Sequence, residues 1–107
     1  MARFINLWHV NPSAPWPMEP SKLLEMEEGM WTMMDELKNK GDIEEWGVFS
    51  DPHCGYIIGK GETADMLKNS SMFYPYIVSE IHEIIPYEKQ KEVIRAVRKA
   101  QIAAMKK

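Results

Sequence analysis

Polar and apolar residues alternate along Arg3–Val10, with Phe4, Trp8 and Val10 on one face and Ile5 and Leu7 on the other. Such a period predicts a strand, and large apolar groups on both faces predict one that is covered on both sides. Asp42–Ser50 reads the same way, with Ile43 and Phe49 against Trp46 and Val48, and so does Gly55–Gly61, with Tyr56 and Ile58 against Ile57. Asp51-Pro52-His53-Cys54 between them has the length and composition of a hairpin loop. The richest β signal is Ile77–Pro86. Ile77, Ile81 and Ile85 share one face with Ser79 and Glu83, while Val78 and Ile84 share the other with Glu80 and His82. Pro86 ends this strand because proline has no N–H to give a ladder.

Two stretches switch to helical spacing before the last strand. Ser21–Lys40 is opened by Pro20 or Ser21 and closed by Gly41 as a C-cap. Its apolar residues, from Leu23 to Leu37, fill about half the circumference, wider than the usual stripe. This Met- and Trp-rich face reads as core. Glu27 falls inside the arc, either reaching solvent and the helix N-terminal dipole or standing as a buried acid beside a pocket. Thr63 is a good N-cap for a second helix over Ala64–Phe73, ended by Tyr74-Pro75-Tyr76. A last helix, Glu88–Met105, carries a narrow apolar stripe of Val93, Val97, Ala100 and Ala104. Asn11–Pro20, with four of the seven prolines, can only be a stiff loop. Trp16 either pins that loop to the body or makes it a lid.

The order is β-α-β-β-α-β plus a helix, an α+β chain with a ferredoxin-like core over about 3–86 and a C-terminal helix over 87–106, in one domain 1–107. Right-handed crossovers give a four-stranded antiparallel sheet of order 4-1-3-2 with two helices on one face. Every strand is apolar on both faces, so the uncovered face needs a partner. A second copy related by a two-fold axis is the simplest, and the last helix is the alternative.

Composition adds little but the charge is uneven. At 107 residues, 45% hydrophobic and 27% charged, the chain is an ordinary globular one. Its net charge of −3 argues against nucleic-acid and membrane-surface partners. From Pro86 onward there are seven Lys/Arg against two acids, or +5, and before it six against fourteen, or −8. No apolar run is long enough for a membrane span. Met1-Ala2-Arg3-Phe4 shows no signal-peptide pattern, and the single cysteine, Cys54, excludes an internal disulfide. Both fit a cytoplasmic protein.

Trp46-Gly47-Val48-Phe49, Gly55-Tyr56-Ile57-Ile58 and Tyr76–Pro86 resemble the dimeric α+β barrel superfamily. It includes muconolactone isomerase-like proteins, cofactor-free monooxygenases and several uncharacterised small-protein families, and the likeness in style is to the last of these. The resemblance implies the fold and a homodimer, but carries over no catalytic residue.

If the Ile77/Ile81/Ile85 face packs on the helices, Glu80 and His82 point into the space between two sheets. Asn6 and Trp8 are expected there with them, because Ile5 and Leu7 look like the core-facing pair, and Trp46 and Tyr56 are expected to complete an aromatic wall. Polar groups in an apolar concavity are the recipe for a small-ligand site. Glu80 and His82, roughly 7 Å apart at Cα, make either a proton-transfer pair or a satisfied polar pair. The expected function is therefore a homodimer binding a small hydrophobic or aromatic ligand, as a cofactor-free isomerase or monooxygenase with His82 and Glu80 as its catalytic residues. The alternative is a non-enzymatic interaction module using the open sheet face and the basic last helix. His53-Cys54 lacks a third orienting group for nucleophilic catalysis. His9, His53, His82 and Cys54 lack metal-ligand spacing. Gly59-Lys60-Gly61 lacks the frame of a phosphate loop. No metal or cofactor is expected.

Overall fold

The computed structural model describes residues 2–106; Met1, the first residue of the opening tetrapeptide, and Lys107 lie outside it. Seven elements follow one another: β1 (Ala2–Val10), α1 (Pro20–Lys40), β2 (Ile43–Val48), β3 (Cys54–Gly61), α2 (Thr63–Ser71), β4 (Ile77–Glu83) and α3 (Tyr87–Met105). The strands form one antiparallel sheet in the order β2-β3-β1-β4, which read from the other edge is β4-β1-β3-β2. The chain is thus α+β, with a four-stranded antiparallel sheet and three helices.

Local chemistry sets the element ends. Gly41 closes α1 at φ 88°, where a side chain would be strained, and sends its N–H to the Leu37 and Lys38 carbonyls. Pro20 sits in the first turn of α1, where its missing N–H costs nothing. The cap of α2 is not Thr63 but Glu62, whose side chain accepts from the Asp65 backbone while Asp65 accepts from the Glu62 N–H. Thr63 is already helical, and α2 ends at Ser71 rather than Phe73. β4 ends at Glu83, three residues before Pro86, although the Ile84 N–H still reaches the Arg3 carbonyl at 2.8 Å. The proline-rich loop is pinned: Trp16 Nε1 donates to the Asn11 carbonyl at 2.7 Å, and its ring meets Tyr76 edge-on at 5.0 Å.

Register decides which face each strand residue uses, since directly paired residues point the same way. Phe4, Asn6 and Trp8 pair with Gly59, Ile57 and Gly55 on one side and with Glu83, Ile81 and Ser79 on the other. This is the helix-covered face, where Phe4, Met34, Ile43 and Met66 form the buried core. The opposite face carries Ile5 and Leu7, paired with Ile58 and Tyr56 and with His82 and Glu80. No described helix lies over it: α1 packs against β2, and α2 against β3 and β4. In β2, a bulge between Ile43 and Glu45 puts Ile43 and Trp46, three residues apart, on the helix side together.

Glycine makes room for this arrangement. A methyl added at Gly55 would run into the Gly47 carbonyl and the Trp8 ring, so β3 has no side chain where Trp8 must lie. On the open face, Gly47 similarly leaves space for Tyr56, whose ring would stand 2.9 Å from a methyl there.

α3 stands apart. Every described residue of it is exposed, including Val93, Ile94, Val97 and Ile102, and it makes no substantial packing contact with the rest. The molecule is accordingly drawn out to 70 × 30 × 25 Å, with a radius of gyration of 19.2 Å. A compact chain of this length would have one of about 13 Å.

Gly55→Ala should destabilise the fold by about 1–3 kcal/mol, the usual cost of overpacking, measured by urea unfolding. No measurable loss would mean that both Trp8 and the Gly47 carbonyl are free to move off Gly55.

Candidate functional site

The residues expected to share one cavity lie on opposite faces of the sheet. Glu80, His82 and Tyr56 are on the open face; Asn6, Trp8 and Trp46 are on the helix side. The expectation that Asn6 and Trp8 flank Glu80 and His82 is therefore corrected. It rested on treating the aliphatic pair Ile5 and Leu7 as core-facing. The glycines at 55 and 59 are the sequence signal that points the other way, because a strand face with alternate glycines receives bulky neighbours.

On the open face, His82 Nε2 stands 3.4 Å from Glu80 Oε2. Their side chains are 59% and 67% exposed, so in a single chain this is a solvated pair. Tyr56 donates its hydroxyl to Glu45 Oε2 at 2.9 Å and stacks on Phe49 at 5.9 Å. The hydrogen bond to Glu45 favours the neutral phenol and raises the Tyr56 pKa above its ordinary 10.0; desolvation and the carboxylate charge add to the shift. At the rim, the Arg3 guanidinium holds Glu44 bidentately, at 3.2 and 2.9 Å. That donated pair lowers the Glu44 pKa below the ordinary carboxylate value, against a smaller opposing desolvation. Between these polar groups lies a strip of Ile5, Leu7, Ile58 and Val78.

On the helix side, α1, α2 and the sheet leave two neighbouring concavities, lobes of one crevice in that they share wall residues. The more enclosed lobe has a volume of about 50 Å³ and is lined by Phe4, Asn6, Ile43 and Met66 among others. The other, about 90 Å³, is walled by Trp8, Met30, Trp31, Trp46 and Ile57. Both lobes touch Met34, Phe73 and Ile77, so they adjoin. Asn6 Oδ1 is buried in this region with no hydrogen-bond partner. Trp31, Met30 and Met34, expected as packing, are thus also cavity wall. Glu27 remains partly exposed on α1.

The other candidates stay apart from both places. His53 is exposed in the β2–β3 turn, its backbone N–H capped by Asp51 Oδ1. Among the described residues, no three His, Cys, Asp or Glu side chains come together as a metal-ligand set. No described helix is long and apolar enough to cross a membrane. Comparison with protein-family models, with curated proteins and with solved structures finds no match to this chain.

A spectrophotometric titration should show Tyr56 forming phenolate at higher pH than an ordinary tyrosine, and Glu45→Gln should move that step back down. Because the folded pKa is raised, the bond's stabilisation is present below the unfolded value and is lost as pH rises through the folded one. An unchanged titration in the variant would remove Glu45 as the cause.

Proposed function

We propose that the chain is a small-molecule-binding homodimer on a ferredoxin-like frame, its two sheets pairing through their open faces as a dimeric α+β barrel. Each protomer holds a small hydrophobic or aromatic ligand in the crevice between its helices and its sheet. The observation that carries the ligand reading is the concavity between α1 and the sheet, walled by Trp8, Trp31, Trp46, Met30 and Met34. A mostly apolar concavity is the general form of a small-ligand site, and methionine walls adjust to the occupant's shape. Self-pairing is supported by the apolar strip on the open face, which no helix of the chain covers.

Within this reading Glu80 and His82 are a polar pair at the dimer interface. The sheet separates them from the crevice, so they cannot reach a ligand held by Trp8 and Trp46. Proton-transfer or oxygenation chemistry through His82 would instead need a second ligand between the sheets.

A second reading draws on α3, whose apolar stripe and basic flank project clear of the body. It makes the chain an interaction module, with α3 docking on an acidic protein surface.

Native mass spectrometry of the full chain should show a dimer, and Leu7→Lys should convert it to monomer, since the new charge would meet its own copy across the axis. In a single chain, that lysine would face Glu80 and be tolerated. Toluene should perturb the ¹⁹F resonances of fluorotryptophan-labelled protein at Trp8, Trp31 and Trp46 and leave Trp16 unmoved. His82→Ala should leave toluene affinity within about twofold of wild type, because removing an exposed pair is worth little. A wild-type monomer that takes up no toluene would sink this reading and favour the interaction module.

A further inference from the structure

Three tryptophans from three elements wall one space. Trp8 comes from β1, Trp46 from β2 and Trp31 from α1, and Met30, Met34 and Ile57 complete the outer lobe with them. None of the three stacks on another aromatic ring among the described residues. Trp31 is 45% exposed, and Trp8 and Trp46 are half-buried, so the concavity opens to solvent. An indole carries negative charge on its ring faces and positive charge at its edge. A cation within about 6 Å of such a ring's centroid is attracted to the face. The chain sets none of its own cations there: among the described residues the cation–π contact is Lys91 over Tyr87, on α3.

The surrounding charge has the same preference. From Leu23 to Leu37, α1 carries Glu25, Glu27, Glu28, Asp35 and Glu36 and no Lys or Arg. Glu27 and Asp35 lie one turn before and one turn after Trp31, on the same side of the helix. Neither is in an ion pair among the described residues, and Lys22, at the start of α1, is turned to Glu19 at 3.8 Å. A neutral ring gains nothing from this negative field, whereas a cation is drawn into it.

The walls then select the kind of cation. They are almost wholly apolar, so an ammonium with N–H groups would leave them unpaired inside, which is costly. A quaternary ammonium has no N–H and meets the walls with methyl groups. The space, about 90 Å³, is about three times the roughly 30 Å³ share of a liquid water, enough for a compact head group with its tail left outside.

We infer that the outer lobe takes the methylated head of a quaternary ammonium compound, held against Trp8, Trp31 and Trp46. The inference rests on the proposed crevice site and adds to it that the hydrophobic ligand is an organic cation. It is independent of the dimer, because every residue it uses lies within one protomer.

The test compares choline with 3,3-dimethylbutan-1-ol, which has the same shape with carbon in place of the charged nitrogen. Each is titrated into the full ¹⁵N-labelled chain, following the indole N–H resonances of Trp8, Trp31 and Trp46, with Trp16 as the unmoved reference. Choline should bind about tenfold more tightly than the alcohol, as expected for a cation desolvated against aromatic faces. Trp31→Leu keeps an apolar side chain at a half-exposed helix position and should cut that ratio about threefold by removing one face. Replacing tryptophan throughout by difluorotryptophan keeps the shape but drains charge from the ring faces, and covers the case in which Trp31→Leu does not fold. It should weaken choline and leave the alcohol unchanged. If the alcohol binds as tightly as choline, the cation class is wrong and the crevice reading stands. If choline binds better but fluorination changes nothing, the carboxylates of α1 and not the tryptophans hold the charge, and the inference is overturned. If choline, the alcohol and toluene all leave the three resonances in place, the crevice reading falls with it.

Discussion

β1 pairs with β3 on one side and β4 on the other, and the rest of the molecule depends on the faces that this double pairing assigns. Once Phe4, Asn6 and Trp8 are committed to one face, Gly59, Ile57 and Gly55 follow on β3, and Ile81 and Ser79 on β4. A one-residue slip would exchange all of these for the opposite set. Trp8 over Gly55 guards against that slip, because a shift of one residue would set Trp8 opposite Cys54 or Tyr56, both of which carry side chains. Two helices then have enough surface for one face only. Only four large side chains, Phe4, Met34, Ile43 and Met66, are buried among the described residues, each still 6–8% exposed, so a single chain holds only a thin core. An incomplete core explains both the crevice and the open face: the first is space the helices do not fill, the second is area they do not reach.

Much of the architecture was legible because it is local. β-Branched runs, prolines and helix-spaced methionines mark the strands and helices to within a few residues at most ends. Errors at the ends come from competing local bonds. Glu62 outcompetes Thr63 as a cap because a carboxylate with Asp65 three positions on makes a reciprocal box. β4 stops at Glu83, opposite Phe4, and not at Pro86, with a single further bond from Ile84 to the Arg3 carbonyl.

The candidate site was less legible, because it depends on which way a strand faces, and β1 is apolar both ways. By hydrophobicity alone, aliphatic Ile5 and Leu7 are the natural core residues beside an asparagine, whereas the deciding term is the room left by neighbours. In β2, the bulge at Glu44–Glu45 changes the parity, so simple alternation misassigns Ile43 relative to Trp46. The exposure of α3 is also invisible in its pattern, since an amphipathic stripe looks the same whether or not anything packs against it.

The uneven charge has an electrical consequence. An end carrying +5 and a body carrying −8 are set along a molecule 70 Å long. Physiological salt screens charge over about 8 Å, so the two regions are felt as separate poles and their opposite signs do not average out. Near a negatively charged surface the chain would turn helix-first; near a positive one, sheet-first. A nearly neutral total therefore conceals a molecule with a preferred orientation of approach, and dilution of salt lengthens the range over which that orientation is set.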